Sequence, residues 1–257
     1  MRIIRDVGYV KKKRRIGRWS ALIGFALLGS AFWLATTTGP DGVLLAYVPL
    51  LAGTLAFHFG MQQIAKWSRN PRNDQILDSR LASLGDKYTL IHYANTGKRV
   101  IEHLLLHPGG VEALTVRELA GTIDYQNGRW RRKGAGIGRF FGMGGPQLGN
   151  PSADAQADLN ALDGLLSQSQ LEAETDAGIA FLNPAAVLDV EEPDFPVMNG
   201  DGVAEFVRAL PEDRDLRPAD RQALVELLIS NAIELEDMKP EVKRRPVKRR
   251  AVQRDRA

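Results

Sequence analysis

The hydrophobic and polar positions divide the chain into an apolar front and a longer mixed segment. No charged residue occurs from Trp19 to Pro40, and a second uncharged run extends from Gly42 to Ala65. A helix of about 20 apolar residues crosses the roughly 30 Å hydrocarbon layer of a bilayer. The pattern therefore predicts two transmembrane helices, over residues about 19–38 and 43–65.

Turn residues and flanking charges indicate how these helices are arranged. The sequence TTTGPDG separates the two runs and favours a short loop, so segment 19–65 is predicted to be a helical hairpin. Basic residues precede the first run and follow the second. By the positive-inside rule, both termini and the main domain are then cytoplasmic. Trp19, Trp33 and Trp67 are expected near the membrane interfaces.

A cleaved signal peptide and a buried hairpin of a soluble protein are the alternatives. The apolar region of a signal peptide is about 7–15 residues long and precedes a small-residue cleavage site. The first run here is longer and lacks such a site. A buried hairpin of a soluble protein is disfavoured, because both runs are apolar on all sides. His58 in the second run is expected to be neutral and bonded to a neighbour or a lipid headgroup.

After the second apolar run, helical and strand-like patterns alternate. Apolar spacing predicts a helix from about Asn73, and four or five strand-like runs follow, with a hairpin turn at Asn127-Gly128. A helix capped by Ser152, two short strands and two more helices complete the order αββββαββαα. This order predicts an α/β domain over residues 66–210, with a mixed sheet flanked by helices.

Charge separates the remaining segments. Residues 1–18 carry eight Lys or Arg and one acid, residues 151–238 carry twenty acids and four bases, and residues 239–257 carry nine bases and two acids. We expect a basic cytoplasmic N-terminus over 1–18, an acidic C-terminal helix over 211–238 and a disordered basic tail over 239–257. Basic termini near a bilayer favour contact with anionic lipid, at about 1 kcal/mol per basic residue. The lack of Cys excludes disulfides and thiolate metal sites.

A basic, glycine-rich stretch, KGAGIGRFFGMGGPQLGNP, follows the predicted hairpin turn. It lacks the Lys-Ser or Lys-Thr of a phosphate-binding loop, so a flexible surface loop is the favoured interpretation. Basic side chains in and before this stretch could contact phosphates of a nucleic acid or of lipids, or they could form a solvated rim. These candidates are Arg129, Arg131, Arg132, Lys133 and Arg139.

Several blocks of the mixed segment resemble the nuclease-related domain (NERD) family. They are LDSRLASLGDKYTLIHYANTGKRVIEHLLLHPGGVEALTVRELAGTI, Trp130, the NPSADAQ element, GIAFLNPAAVLDV and PVMNGDGVAEFVRAL, and they extend from about Asn73 to Leu210. NERD is similar to the restriction-endonuclease-like superfamily, whose core is a sheet flanked by helices. The resemblance implies a restriction-endonuclease-like core in a membrane-anchored member of the family.

In that superfamily, an acidic residue on one strand and a Glu-x-Lys on the next bind Mg²⁺ and position water. The acidic position falls on Glu102 and keeps a carboxylate. The Glu-x-Lys falls on Thr115-Val116-Arg117, which lacks both the second carboxylate and the ammonium group. The resemblance implies that Glu102, Thr115 and Arg117 are a degenerate catalytic set, with Glu102 and Asp74 as Mg²⁺ ligands only if the site is active.

Other interpretations of these residues lead away from catalysis. An ion pair between Glu102 and Arg117 across adjacent strands is one. His103 and His107 would be about 13 Å apart on a strand, too far to ligate one ion.

We expect a membrane-anchored protein that needs no cofactor and binds a nucleic acid or a protein partner. The alternatives are an Mg²⁺-dependent nuclease with a rearranged site, and a structural subunit of a membrane complex that docks through residues 201–238.

Overall fold

The computed structural model of the chain describes residues 1–133, 147–211 and 218–238. These residues form six helices and ten strands. The helices are α1 (Val7–Thr37), α2 (Gly39–Trp67), α3 (Asn73–Leu81), α4 (Pro151–Ser169), α5 (Val203–Ala209) and α6 (Pro218–Ile229). The strands are β1 (Arg2–Asp6), β2 (Thr89–Asn95), β3 (Val100–His107), β4 (Gly110–Arg117), β5 (Gly121–Gln126), β6 (Arg129–Lys133), β7 (Thr175–Phe181), β8 (Ala186–Val190), β9 (Val197–Asn199) and β10 (Leu235–Met238).

The strands of the described residues form two sheets. Seven strands make a mixed sheet in the order β10-β1-β2-β3-β4-β7-β9, and three make a smaller sheet in the order β6-β5-β8. Strands β2, β3 and β4 form an antiparallel meander, whereas β1 is parallel to β2 and β7 is parallel to β4. This architecture confirms the α/β class with a mixed sheet and helices. The restriction-endonuclease-like core stays a prediction.

Each face of the seven-stranded sheet carries its own layer of buried side chains. One layer joins Leu104 and Leu106 of β3 to helices α4 and α6. The other joins Leu90 of β2 and Leu105 of β3 to helices α3 and α5. The alternation arises because successive side chains of a strand point to opposite faces. The central strands are therefore held between two helical layers. This packing fixes the side chains at the ends of the strands.

Helices α1 and α2 are long and apolar enough to cross a membrane. Among the large apolar side chains that are exposed in the described residues, all but Val187, Ile233 and Leu235 lie on these two helices. Such an exposed apolar surface is typical of a hairpin covered by lipid rather than of a soluble core. Trp19 and Trp33 are more than half exposed, as expected for interface residues, whereas Trp67 is 4% exposed and packs on the α/β domain.

The two long helices pack through small residues spaced seven apart. The buried positions are Gly17, Gly24 and Ala31 on α1 and Ala46, Gly53 and Gly60 on α2. A Cβ atom added to Gly24 would lie 2.3 Å from the backbone nitrogen of Phe57, so a larger residue does not fit there. Close backbone approach through small residues is a common mode of helix packing in membranes. The sequence analysis did not identify this spacing.

The N-terminal residues differ from the expected free cytoplasmic segment 1–18. Strand β1 lies between β10 and β2, and Ile3 and Ile4 are each 1% exposed. Helix α1 follows β1 directly, and the Asp6 side chain caps it by accepting from the backbone N–H of Tyr9 at 3.0 Å. Two apolar residues between two arginines are too short a pattern to predict a strand. The α/β domain therefore includes residues on both sides of the hairpin.

The C-terminal segment differs from the helix predicted over 211–238. Helix α6 ends at Ile229, and β10 then pairs antiparallel with β1. Asp6 stabilises the turn between α6 and β10, because its side chain accepts hydrogen bonds from the backbone N–H groups of Ile233 (2.9 Å) and Glu234 (3.1 Å). The sequence of β10, LEDM, has no strand periodicity, and the neighbouring β1 determines its conformation. The predicted tail 239–257 lies outside the described residues.

The predicted hairpin turn and the helix after the glycine-rich stretch are both confirmed. Asn127 and Gly128 have φ values of 51° and 73°, and such positive values suit a tight turn between β5 and β6. Helix α4 is capped by Asn150, whose side chain accepts from the backbone N–H of Ala153 at 3.2 Å. Ser152, the expected cap, lies in the first turn of α4.

Candidate functional site

A cavity of about 280 Å³ lies where the end of α2 meets the sheet, next to β3 and β4. Four basic and two acidic side chains contribute to its wall, so the lining carries a net positive charge. They are Lys66, Arg69, Arg72, Glu102, Arg117 and Glu118. The structure therefore brings together two of the predicted site residues, Glu102 and Arg117, with three basic residues, of which Lys66 belongs to the last turn of α2 and Arg69 and Arg72 follow that helix.

Glu102 lies on β3 and forms an ion pair with Lys66 of α2. Its side chain is 35% exposed. Burial raises the pKa of Glu102, but the charge and hydrogen bond of Lys66, with a smaller effect of the Arg117 charge, outweigh burial and hold the pKa below its usual value. The carboxylate is therefore ionised and is already neutralised by an ammonium group.

Arg117, at the end of β4, is bound on several sides. Its Nε donates to the backbone carbonyl of Leu148 at 3.0 Å, and its Nη2 forms an ion pair with Asp154 in the first turn of α4. The predicted ion pair between Glu102 and Arg117 is wrong, because each side chain has a different partner. Arg117 still acts on Glu102 through its charge.

Thr115 is the residue of β4 that the predicted correspondence aligns with a second carboxylate. The register that pairs Leu104 with Ala113, continued by two residues, sets Thr115 opposite Glu102. The Oγ1 atom of Thr115 is buried and has no hydrogen-bond partner among the described residues. Thr115 therefore supplies only a buried neutral hydroxyl, and it is not among the residues that line the cavity.

Asp74 is fully buried in the first turn of α3 and is held by two guanidinium groups. Its Oδ2 lies 2.7 Å from Nε of Arg5 and 2.8 Å from Nη2 of Arg72. Burial raises the pKa of Asp74, but the hydrogen bond from Arg72 and the charge of Arg5 outweigh burial and lower the pKa to about 2. Asp74 therefore links β1 to α3 as a structural anion.

These residues do not fit an Mg²⁺ site. Mg²⁺ prefers oxygen ligands in octahedral geometry, usually with one or two free carboxylates. Glu102 is paired with an ammonium group, Thr115 offers a hydroxyl, and Asp74 is bound by two guanidinium groups. Within residues 1–133, 147–211 and 218–238, no group of three His, Asp or Glu side chains is placed to hold a metal ion.

The cavity wall retains hydrogen-bond donors that its ion pairs do not use. Lys66 donates one bond to Glu102, and an ammonium group has three donors. Arg69 donates from Nη2 to Glu118, while its Nε and Nη1 have no partner among the described residues. Arg72 uses Nε and Nη2 for Asp74. In the sequence, these three cations served only to predict the orientation of the hairpin. Their contribution to the cavity wall was not predicted.

An aromatic cluster next to the cavity joins the hairpin to the α/β domain. The rings of Tyr9 on α1, Trp67 at the end of α2 and Tyr93 on β2 lie 5.4–5.5 Å apart between centroids. Arg14 also donates to the backbone carbonyl of Trp67 at 2.6 Å. The cavity is therefore built on a fixed junction between two rigid parts of the molecule.

A histidine pair, which the sequence did not predict, lies on the α3 side of the sheet. The Nδ1 atoms of His92 and His103 are 2.8 Å apart, and Nε2 of His92 lies 2.8 Å from Asp78. Burial lowers the pKa of His103 to about 3, and the charge of His92 adds to that effect. The strand register places His92 opposite His103, whereas sequence spacing had drawn attention only to His103 and His107.

Four of the five predicted phosphate-binding residues lie on β6, an edge strand of the smaller sheet. Arg129, Arg131 and Lys133 are exposed, and Trp130 and Arg132 are partly buried between them. Trp130 anchors the strand, because its Nε1 donates to Ser152 of α4 at 2.9 Å and its ring packs on Phe181.

The basic residues of β6 divide into engaged and unengaged side chains. Lys133 binds Asp124 at 2.8 Å, and Arg132 donates to the backbone carbonyl of Ala120 at 2.8 Å. Arg129 and Arg131 have no ion pair within the described part of the chain. Arg139 lies outside the described residues. The structure therefore leaves two exposed arginines on the same face of β6, with a backbone spacing of about 7 Å along the strand.

Comparison with known proteins found no relative of this chain. No family model, curated protein or solved structure matches the chain. The resemblance to the NERD family therefore stays a prediction that rests on the sequence blocks.

Proposed function

We propose that this chain is a membrane-anchored protein whose cytoplasmic α/β domain binds nucleic-acid phosphates and does not cut them. The proposal rests on one contrast in the structure. At the predicted catalytic and metal-binding positions, the charged side chains of Glu102, Arg117 and Asp74 are engaged in ion pairs. On β6, Arg129 and Arg131 are exposed and have no such partner within the described residues.

The membrane part of the proposal is supported by the surface of the hairpin and by the charges at its base. Helices α1 and α2 expose apolar side chains along lengths that suit a bilayer. Arg15 and Arg18 near the start of α1 are exposed, and Lys66 and Arg69 lie at and just after the end of α2, at the same end of the hairpin. Cations at this end favour a cytoplasmic position for the domain.

The binding part of the proposal is supported by the position of the two arginines. Guanidinium groups bind phosphate through several parallel hydrogen bonds, and an exposed strand edge leaves room for an extended chain. Trp130 fixes β6 against α4, so Arg129 and Arg131 are presented on a rigid edge rather than on a loop. This preorganisation reduces the entropy that binding would otherwise remove.

The noncatalytic part is tested by a cleavage assay on the full-length protein in detergent micelles. Labelled DNA and RNA are incubated with Mg²⁺ or Mn²⁺ and with either the wild type or Glu102→Ala. We expect equal, background cleavage from both proteins, because Thr115 replaces the family's second carboxylate and both acidic residues of the cavity wall, Glu102 and Glu118, are paired with cations. Metal-dependent cleavage that Glu102→Ala abolishes would establish the alternative, a nuclease with a rearranged site.

A further inference from the structure

We propose that the cavity at the base of the hairpin binds a phosphate group, supplied by the headgroup of an anionic lipid. This inference rests on the membrane placement proposed above and is independent of Arg129 and Arg131. The function proposed for β6 and the one proposed for the cavity therefore involve different residues.

The position of the cavity favours a lipid as the source of the phosphate. Gln62, Gln63 and Lys66 of its wall belong to the last turns of α2, and Arg69 and Arg72 follow that helix directly. The uncharged run of α2 ends at Ala65, so its cytoplasmic end and the cavity lie at the level of the headgroups when α2 crosses the bilayer. A lipid phosphate diffusing in that plane meets the cavity without leaving the membrane.

The donors on the wall match the chemistry of phosphate. Lys66 keeps two protons beyond its bond to Glu102, and Arg69 keeps its Nε and Nη1 groups. Arg72 is bound to Asp74 and also hydrogen-bonds Tyr93, so it adds positive charge to the wall rather than a spare donor. Arginine and lysine together supply the bidentate and point-charge contacts that phosphate oxygens accept.

The size of the cavity and its two carboxylates further limit the ligand. A volume of about 280 Å³ is just below the roughly 300–1,000 Å³ of sites for drug-sized ligands, so it suits a headgroup rather than a larger molecule. Glu102 and Glu118 are paired with Lys66 and Arg69. A bound phosphate would compete with these carboxylates for the same cations. Removing one carboxylate should therefore strengthen binding.

The test compares two double variants that each remove two positive charges near the membrane boundary. Lys66→Gln/Arg69→Gln changes the cavity wall, whereas Arg15→Gln/Arg18→Gln changes exposed residues of α1 that do not line the cavity. Full-length proteins are reconstituted into phosphatidylcholine vesicles that contain a minor fraction of phosphatidic acid. Native mass spectrometry then counts the phosphatidic acid that each protein retains after gentle release into detergent.

We expect the wild type and the α1 variant to retain the anionic lipid. The cavity variant should retain it at least about tenfold less tightly, because two charge-assisted contacts are removed. Equal retention by the cavity and α1 variants would overturn the proposal, because general surface charge would then explain the binding. Extraction of the wild type from the vesicles by alkaline carbonate would instead contradict the membrane placement.

Glu102→Gln keeps the test decisive if the cavity variant does not fold. This substitution leaves Lys66 in place and removes a competing anion, so retention of phosphatidic acid should rise. Unchanged or lower retention by a folded Glu102→Gln protein would contradict the proposal.

A soluble arm of the experiment identifies the source of the phosphate. Inorganic phosphate is added to the wild type in vesicles of phosphatidylcholine alone, and thermal unfolding is measured. Stabilisation by phosphatidic acid but not by inorganic phosphate assigns the site to a lipid. Stabilisation by inorganic phosphate that Lys66→Gln/Arg69→Gln abolishes keeps the phosphate site but overturns the lipid assignment.

Discussion

At the residue scale, Asp74 shows how buried charge connects the N-terminal strand to the domain. Both of its neighbouring guanidinium groups, on Arg5 and Arg72, are largely shielded from water, at 4% and 12% side-chain exposure. Asp74→Asn would leave Arg72 without a carboxylate partner among the described residues, whereas Arg5 would keep Asp78 and Glu236. Because an unpaired buried charge is costly, we predict a loss of about 3–5 kcal/mol in the free energy of unfolding, measured by chemical denaturation in detergent micelles.

Asp201 provides the matched control for that measurement. It forms an ion pair with Arg80, but its side chain is 77% exposed. Asp201→Asn should change the free energy of unfolding by less than about 1 kcal/mol, as is usual for surface ion pairs. An equal loss in both variants would show that Asp74 has no special structural role.

Glu112 gives a pH-dependent prediction. It is 1% exposed, and both carboxyl oxygens lack hydrogen-bond partners among the described residues. Burial, with a smaller effect of Asp176, raises the pKa of Glu112 from 4.5 to about 8. Between these values the folded protein keeps a proton that the unfolded chain has lost. Stability is therefore fully present below the unfolded pKa and falls by about 1.4 kcal/mol per pH unit toward the folded pKa.

Glu112→Gln tests this pH dependence, because the amide is neutral at every pH. The wild type should lose stability relative to Glu112→Gln as the pH rises from about 5 to about 8. The measurement is the free energy of unfolding of both proteins across that range. Parallel curves would show that Glu112 titrates normally in the folded state.

Sequence reasoning located the candidate site residues but not their partners. The spacing within the NERD-like block placed Glu102 and Arg117 on neighbouring strands, and both line the same cavity. Their ion-pair partners, Lys66 and Asp154, are 36 and 37 residues away along the chain and come from α2 and α4. Pairing at that distance depends on how helices dock against the sheet, which local pattern does not encode.

At the scale of elements, the contact between α1 and α2 depends on glycine. A side chain at Gly24 would collide with the backbone of Phe57, whereas a Cβ atom on Gly29 meets nothing within 4 Å. Gly24→Val should therefore destabilise the hairpin by about 1–3 kcal/mol, the usual cost of overpacking. Gly29→Val, in the same helix, should have little effect. Thermal unfolding in detergent micelles measures both, and equal melting temperatures would contradict the small-residue packing.

Strand β1 makes the α/β domain depend on residues that precede the hairpin. A fragment of residues 68–257 lacks β1, including the buried side chains of Ile3 and Ile4, and exposes the edges of β2 and β10. We predict that this fragment shows no cooperative thermal unfolding. Joining residues 1–6 to residue 68 through a flexible linker should restore the transition, and a cooperative transition in the fragment alone would contradict the role of β1.

Elements with long periodic patterns were predictable, and short ones were not. Helices α1, α2 and α4 and the β5-β6 turn follow directly from apolar spacing and from Asn127-Gly128. Strands β1, β9 and β10 have three to five residues each, and their conformation is determined by neighbours in the sheet. Such strands carry too few alternations to distinguish them from loops or helix ends.

At the scale of the whole molecule, the structure combines a hairpin with apolar outer surfaces and a domain attached at its base. The aromatic cluster of Tyr9, Trp67 and Tyr93 and the strand β1 together attach the domain to both long helices. The domain is therefore not a separate body on a flexible linker. With the hairpin in a bilayer, the cavity is held at the membrane surface and β6 keeps a fixed position on the domain.

The most direct test of nucleic-acid binding is its salt dependence, measured with full-length protein in phosphatidylcholine vesicles. Labelled single-stranded DNA or RNA is titrated at several salt concentrations with the wild type, with Arg129→Gln/Arg131→Gln and with the charge-matched control Arg15→Gln/Arg18→Gln. We predict binding that weakens as salt rises, with a log–log slope reduced by about two in the β6 variant and unchanged in the control. No binding by the wild type at low salt, or equal slopes in all three proteins, would contradict the proposed function.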